Sequence, residues 1–341
     1  MDKKKKYMKK KFLIIGSGIG GLGAASWMKY YGKDFMVVDG CSELPKNLHN
    51  GVHYLHSIPE LPFEASIKSI VLTDGVLEHG DIHSSPKLMH SLKYSAKVRE
   101  VQHPSSIMDI GKTKEVFMPK TNSINDLIEQ MYTYSKECNF EFGWWIKDID
   151  IKDKMVSFEN KSGESLIVYY ENLISTIPLN ILNNFVKSEF ISSLELKSSP
   201  VYITNFKVVD IVPNWLINLY VPERYSPIYR ASILNGICSV ESMKELDKTD
   251  IKNTIDMFFM FSLVPDSVER YTWNTGKVIS INRDDRLRVI EELSKMSIYC
   301  AGRFSLWNRK LLIDSTINQS KAIVEYLIGG DWNKCKEKLI Q

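Results

Sequence analysis

Six consecutive residues near the start of the chain, Gly16-Ser17-Gly18-Ile19-Gly20-Gly21, have the types and spacing to hold a diphosphate. Gly16 permits a tight turn, Gly18 lets an anion approach the backbone, and Gly21 lets a helix pack closely on a strand, with Gly20 beside it. A helix opening at this point would offer free N–H groups and partial positive charge to phosphate oxygens. Asp39 follows 23 residues after Gly16, where a carboxylate can accept hydrogen bonds from a ribose. The fingerprint suits NAD and FAD equally, and a bare glycine turn with no ligand is the plain reading unless strand, helix and acid are all in register.

The flanking elements supply that register. Residues 11–15 read as a short apolar strand, 16–23 as the glycine turn, 22–31 as a helix with an apolar face and 34–39 as a second strand, which makes a βαβ unit. The lysine-rich start, MDKKKKYMKKK, has the charge of a signal-peptide n-region, but the apolar stretch after it is broken by glycines, so it reads as a solvated tail. The 341 residues are 44% hydrophobic and 25% charged, the balance of a globular chain with two lobes. A net charge of +3 excludes a purely electrostatic nucleic-acid binder. No run approaches the roughly 18 apolar residues of a membrane span. The five cysteines lie far apart and read as reduced thiols in a cytoplasmic protein. No metal site is expected, because no carboxylate or cysteine completes a set with His49, His53 and His56.

Further along, residues 51–119 carry the remaining histidines with weak periodicity and read as loops and short helices. Residues 123–138 suit a helix capped by Ser123. Residues 140–178 alternate in short strands around a turn at 161–164, and 201–281 are rich in β-branched and aromatic residues that suit an antiparallel sheet. Residues 298–300 read as a short strand and 314–328 as a helix capped by Asp314 or Ser315.

Tyr299-Cys300-Ala301-Gly302-Arg303-Phe304, followed by Trp307 and then Asp314-Ser315 opening a helix, resembles the second FAD signature of the amine-oxidase superfamily. Leu173-Ile174-Ser175-Thr176-Ile177-Pro178 resembles the strand end that follows the adenine-contacting segment there, with Ile146 and Ile149 in the place of that segment's apolar pair. The resemblance implies FAD rather than NAD, bound by Gly16, Gly18, Gly20, Gly21, Asp39, Ile146, Gly302, Arg303 and Asp314. It also implies an α/β fold. A discontinuous Rossmann-like FAD-binding domain would cover 9–64, 122–183 and 294–330. A substrate domain of antiparallel sheet plus helices would cover 65–121 and 184–293.

Within the superfamily, Gly51-Val52-His53-Tyr54-Leu55-His56-Ser57 is similar to a segment of the UDP-galactopyranose mutases, with comparable versions in protoporphyrinogen-oxidase-like proteins. Pro227-Ile228-Tyr229-Arg230 looks like a strand that delivers a substrate-facing arginine, and Tyr271-Thr272-Trp273 matches a short aromatic strand. On this resemblance Arg230, His53 and Trp307 are the expected catalytic residues. Each also has a plain reading: a surface ion pair for Arg230, a satisfied polar side chain for His53, core packing for Trp307 as for Trp144 and Trp145. Two departures stand out. Trp307-Asn308-Arg309-Lys310 replaces the mutases' tyrosine-bearing run that helps hold a diphosphate, and Lys120-Thr121-Asn122 replaces the familiar glycine pair after Met118-Pro119. The expected activity is that of an FAD-dependent oxidoreductase, oxidising a small or nucleotide-linked substrate by hydride transfer to flavin N5. The other reading is a mutase-like flavoenzyme acting on a nucleotide sugar without net redox change. A third is a flavin-fold binding module without chemistry.

Overall fold

In this computed structural model the described residues are 5–44, 51–85, 87–98, 114–121, 123–137, 139–209 and 215–340, so the readings at His49, Asn122 and Cys138 fall outside them. The chain opens with β1 (Lys5–Ile15), α1 (Ile19–Tyr30) and β2 (Phe35–Asp39). Only the second half of β1 is buried, yet its lysine half is strand rather than tail. The reason lies in its neighbour: Lys5 to Tyr7 pair with Ser165 to Ile167, whose backbone groups need partners. Lys6 stays half-exposed and pairs with Glu141, while Lys10, with its side chain mostly covered, pairs with Asp34, both at 2.6 Å.

Next come β3 (Ile67–Glu78), β4 (Asp81–His83), α2 (Leu88–Val98) and β5 (Lys114–Pro119). The expectation of loops and short helices here is therefore corrected. Ile67, Ile70, Val71, Thr73 and Val76 give β3 a β-branched run, and its half from Leu72 onward is buried on both faces, which hides the alternation that marks a half-exposed strand. After α3 (Ile124–Ser135), capped by Ser123, a meander follows: β6 (Asn139–Phe142), β7 (Trp144–Asp150), β8 (Met155–Asn160) and β9 (Ser165–Ser175). The remaining elements are α4 (Leu179–Val186), α5 (Glu189–Ser193), β10 (Ser198–Val208), β11 (Trp215–Tyr220), β12 (Ile228–Leu234), β13 (Ile237–Ser242), α6 (Lys248–Met257), β14 (Leu263–Val278), α7 (Arg283–Lys295), β15 (Ile298–Cys300), α8 (Ile313–Leu327) and α9 (Trp332–Ile340).

Among the described residues the strands form two sheets. The first runs β6-β2-β1-β9, all parallel, with β15 also parallel to β9 and with β8 and β7 added antiparallel at its edge. The second runs β14-β10-β13-β12-β11-β3-β4, antiparallel except that β11 and β3 are parallel, with β5 on the other side of β3. The main core surrounds the first sheet and takes in residues of α1, α7, α8 and α9. A second core lies on the α6 side of the second sheet, where Phe206, Leu219, Ala231, Cys238 and Val240 meet Ile251 and Ile255. No helix among the described residues is long and apolar enough to cross a membrane.

Candidate active site

The glycine loop joins β1 to α1 as its spacing requires. Gly16 has φ +99°, and a Cβ there would stand 2.2 Å from Thr176 Oγ1. A Cβ on Gly21 would come within 1.8 Å of Gly16 O, so the two glycines let helix and turn touch. Gly20 faces Thr176, Thr316 and Ala301, where a Cβ would meet atoms at 3.2 to 3.4 Å. Gly18 is the N-cap of α1 with extended backbone; it has no capping side chain, and no acidic residue occupies the first turn. Among the described residues no side chain therefore caps the leading N–H groups of α1, the arrangement an anion needs. Ser320 closes the back of the loop by donating from Oγ to Gly20 O at 2.8 Å.

Asp39 ends β2 beside this loop. Its Oδ2 accepts from the Ser17 N–H at 2.5 Å and from Ser17 Oγ at 2.8 Å, and Oδ1 accepts from the Cys41 N–H at 2.7 Å. The carboxylate thus braces the loop. Ile146 packs against the main core, whereas Trp145, one residue earlier, leans over the end of β2: a Cβ on Gly40 would lie 2.9 Å from its Nε1. At 42% exposed, Trp145 does not follow the plain reading of core packing.

The second signature returns to the same place. The Ala301 N–H donates to Ser175 O, the Gly302 N–H to Gln319 Oε1, and Gly302 turns at φ +100°. Arg303 Nε donates to Leu311 O at 3.0 Å, leaving the rest of its guanidinium free of that anchor. Helix α8 starts one residue before the expected cap: Leu312 is the N-cap, and its N–H donates to Ser315 Oγ at 2.7 Å. Asp314 is used differently from a cap. Its Oδ2 accepts from the N–H and Oγ of Ser57, at 3.0 and 2.7 Å, and so ties residues 51–57 to α8.

That segment runs from the second sheet to α8. Leu55 exchanges both backbone hydrogen bonds with Phe117 of β5, Tyr54 OH accepts from Asn218 Nδ2 at 3.3 Å, and a Cβ on Gly51 would meet Ser239 and Ile203. His53 is carried into the interior along it. Its imidazole is held down to about 4, chiefly by burial; Glu241 is the strongest of the neighbouring charges and pulls it up, while Arg230 and Arg303 each push it down, so it is neutral near pH 7.

The inward face of the second sheet supplies the opposite wall. Asp74, Asn218, Ser232, Ser239 and Asn205 are register partners in a row across β3, β11, β12, β13 and β10. Two residues further along, Tyr220, Arg230, Glu241 and Ile203 form the next row. Tyr229 is the extra residue of a bulge between β12 and β13, and it sits immediately before Arg230. Arg230 pairs with Glu241, and Lys277 Nζ reaches the other Glu241 oxygen at 2.9 Å. Side-chain exposures of 30%, 12% and 18% for these three, with protein on nearly every side, are what a cleft wall produces. Burial pushes Lys277 down to about 8, with Glu241 opposing and Arg230 and Arg303 assisting. Burial also works to raise Glu241, but Arg230 and Lys277 outweigh it and hold the carboxyl well below its usual range. Arg230 Nε and Asp74 Oδ1 are enclosed with no hydrogen-bond partner among the described residues.

The structure therefore gathers His53, Arg230 and Arg303, and it adds Glu241 and Lys277, which carry no local motif. Trp307 is not part of this group. It is 0% exposed, packed in the main core, with its indole N–H on Lys197 O at 3.2 Å, so it has no face left for a substrate. Two other hollows, of about 670 and 520 Å³, lie beside Lys187, Arg288 and Glu292 and beside His79, Glu223 and Phe259; neither touches the glycine loop.

No protein-family model and no curated protein sequence matches the chain. Solved structures do. A reduced UDP-galactopyranose mutase superimposes with a TM-score of 0.70 at 16% identity, over 97% of this chain and 99% of that one. A protein assigned as a protoporphyrinogen oxidase, from Exiguobacterium sp. 255-15, gives 0.62 at 10% identity, over 93% and 98%. A p-nitrophenol 4-monooxygenase from Pseudomonas putida DLL-E4 gives 0.54 at 12% identity, over 98% and 84%. At these identities the likeness is one of fold: the chain shares the two-sheet α/β fold of these structures.

Proposed function

We propose that the chain is an FAD-dependent oxidoreductase acting on an anionic small or nucleotide-linked substrate in the cleft between the two sheets. The observation that carries this reading is the charge of the cleft. Among the described residues Arg230, Arg303 and Lys277 are gathered around the carboxylate of Glu241, and that excess of enclosed positive charge is costly unless an anion completes it.

The glycine loop fits the cofactor. Gly16 and Gly21 leave no room for side chains, Gly18 leaves the helix start uncapped, and Asp39 stands beside the loop for a ribose. Trp145 offers a flat exposed ring next to Asp39. When bound, FAD supplies hydride acceptance at N5. The rest is done by the chain. Arg230 and Lys277 orient the anionic end of the substrate, Arg303 adds a second fork from the opposite wall, and neutral His53 takes or gives a proton at one ring nitrogen. Glu241 keeps the two cations of its own sheet fixed in place.

The mutase-like reading is favoured by superposition over nearly the full length of both chains. Against it, the first half of the run in place of the mutases' diphosphate-holding tyrosine is packed away, with Trp307 0% and Asn308 1% exposed, which leaves only Arg309 and Lys310 of that run towards solvent. Anaerobic addition of candidate substrates to the yellow protein tests the choice. The oxidoreductase reading expects the flavin to bleach with the substrate alone. Turnover that needs a flavin reduced beforehand, and leaves it reduced, would overturn it in favour of the mutase.

A further inference from the structure

Outside the cleft, Glu78, His83 and His90 bring one ligand atom each to within 4.8 Å of the others. Their convergence follows from topology. In the β3–β4 hairpin Val76 is opposite His83 and Glu78 is opposite Asp81, so Glu78 and His83 are diagonal neighbours on the face that bears Val76. Helix α2 lies on that face, with Tyr94 and Val98 packed against Val76 and Tyr229. His90 is one turn before Tyr94 and so points to the same place. The Glu78 and His90 side chains are 12% and 7% exposed, His83 is half-buried, and the two imidazole rings stand 5.0 Å apart.

We infer that Glu78, His83 and His90 form a binding site for a borderline divalent cation, Zn²⁺ in the first place, with a remaining position open to water. Two imidazoles and one carboxylate are the donors such a cation prefers, whereas Mg²⁺ and Ca²⁺ prefer oxygen alone. The carboxylate is already oriented: Glu78 Oε1 accepts from Lys93 Nζ at 2.7 Å, which leaves Oε2, 3.2 Å from His90 Nε2, for the cation. His90 Nδ1 accepts the backbone N–H of Lys87 at 3.1 Å, so without a cation the ring proton sits on Nε2 and is shared with Glu78. On cation binding that proton moves to Nδ1, and the Lys87 N–H, on an exposed residue at the start of α2, turns to water. The cation then clips β3, β4 and α2 together.

The test uses the full, tag-free chain stripped with a chelator and then dialysed free of it. Zinc is titrated in while Tm is followed, and a zinc-binding dye competes for the metal. A rise in Tm of roughly 3 to 5 °C at saturating Zn²⁺ is expected, with no rise from Mg²⁺. His90→Ala should abolish it but can also loosen α2. The half-exposed His83→Ala is therefore the decisive variant, expected to keep the metal-free Tm and lose the zinc response. No zinc response in the parent, or an undiminished one in His83→Ala, would overturn the site.

Discussion

Arg230 of β12 and Glu241 of β13 are register partners across an antiparallel pair, and the guanidinium donates to the carboxylate at the centre of the cleft wall. The bulge at Tyr229 sets which face Arg230 takes, and Lys277 holds the second oxygen of the same carboxylate. One acid thus organises two cations that would otherwise repel each other at close range.

Replacing that acid exposes the imbalance. Glu241→Gln keeps the shape but leaves Arg230 and Lys277 without their counter-charge, and a loss of about 3 kcal/mol is expected in urea unfolding. Adding an anion that fills the cleft should restore part of it. Unchanged stability would show that water already neutralises the cluster.

Affinity for an anionic ligand should fall as the pH rises through about 8, because Lys277 loses its charge there while Arg230 keeps its own. Binding isotherms between pH 6.5 and 9.5 measure this. The Lys277→Met variant should bind more weakly at pH 7 and show no step near 8. A step that persists in that variant would belong to another group.

His53 gives stability the opposite kind of pH dependence. Its folded-state pKa is lowered from 6.5 to about 4, so between those values the unfolded chain binds a proton that the folded chain does not. Stability is therefore lost as the pH falls from 6.5 towards 4, by an amount on the order of 3 kcal/mol for the full window. His53→Gln should flatten this part of the profile in urea unfolding at pH 7, 6 and 5. Parallel profiles for both proteins would place the imidazole in contact with bulk water.

Gly21→Ala should cost both fold and cofactor. Its Cβ would stand 1.8 Å from Gly16 O, backbone against side chain, so α1 must lift off the turn. A destabilisation of about 2 kcal/mol or more is expected, with loss of flavin absorbance after gel filtration. Gly32→Ala is the control: its φ of +60° carries strain, but a Cβ there meets nothing within 4 Å, so flavin content should hold.

What the sequence determined by itself is local. The glycine loop and Asp39 are legible because a turn, a helix start and a strand end are fixed by residues within one βαβ unit, and the short strand at Ile298–Cys300 and the Ser123 cap are legible for the same reason. What only the tertiary structure decided is which side chains share a face and which face sees the cleft. Glu241 and Lys277 carry no motif, because strand register across four strands brings them to Arg230 and into electrostatic reach of Arg303. Trp307 and Trp145 look alike in sequence, yet packing sends the first into the core and leaves the second over Gly40. The lysine half of β1 is strand because a neighbour 160 residues later needs its backbone, and no pattern within those lysines could carry that information.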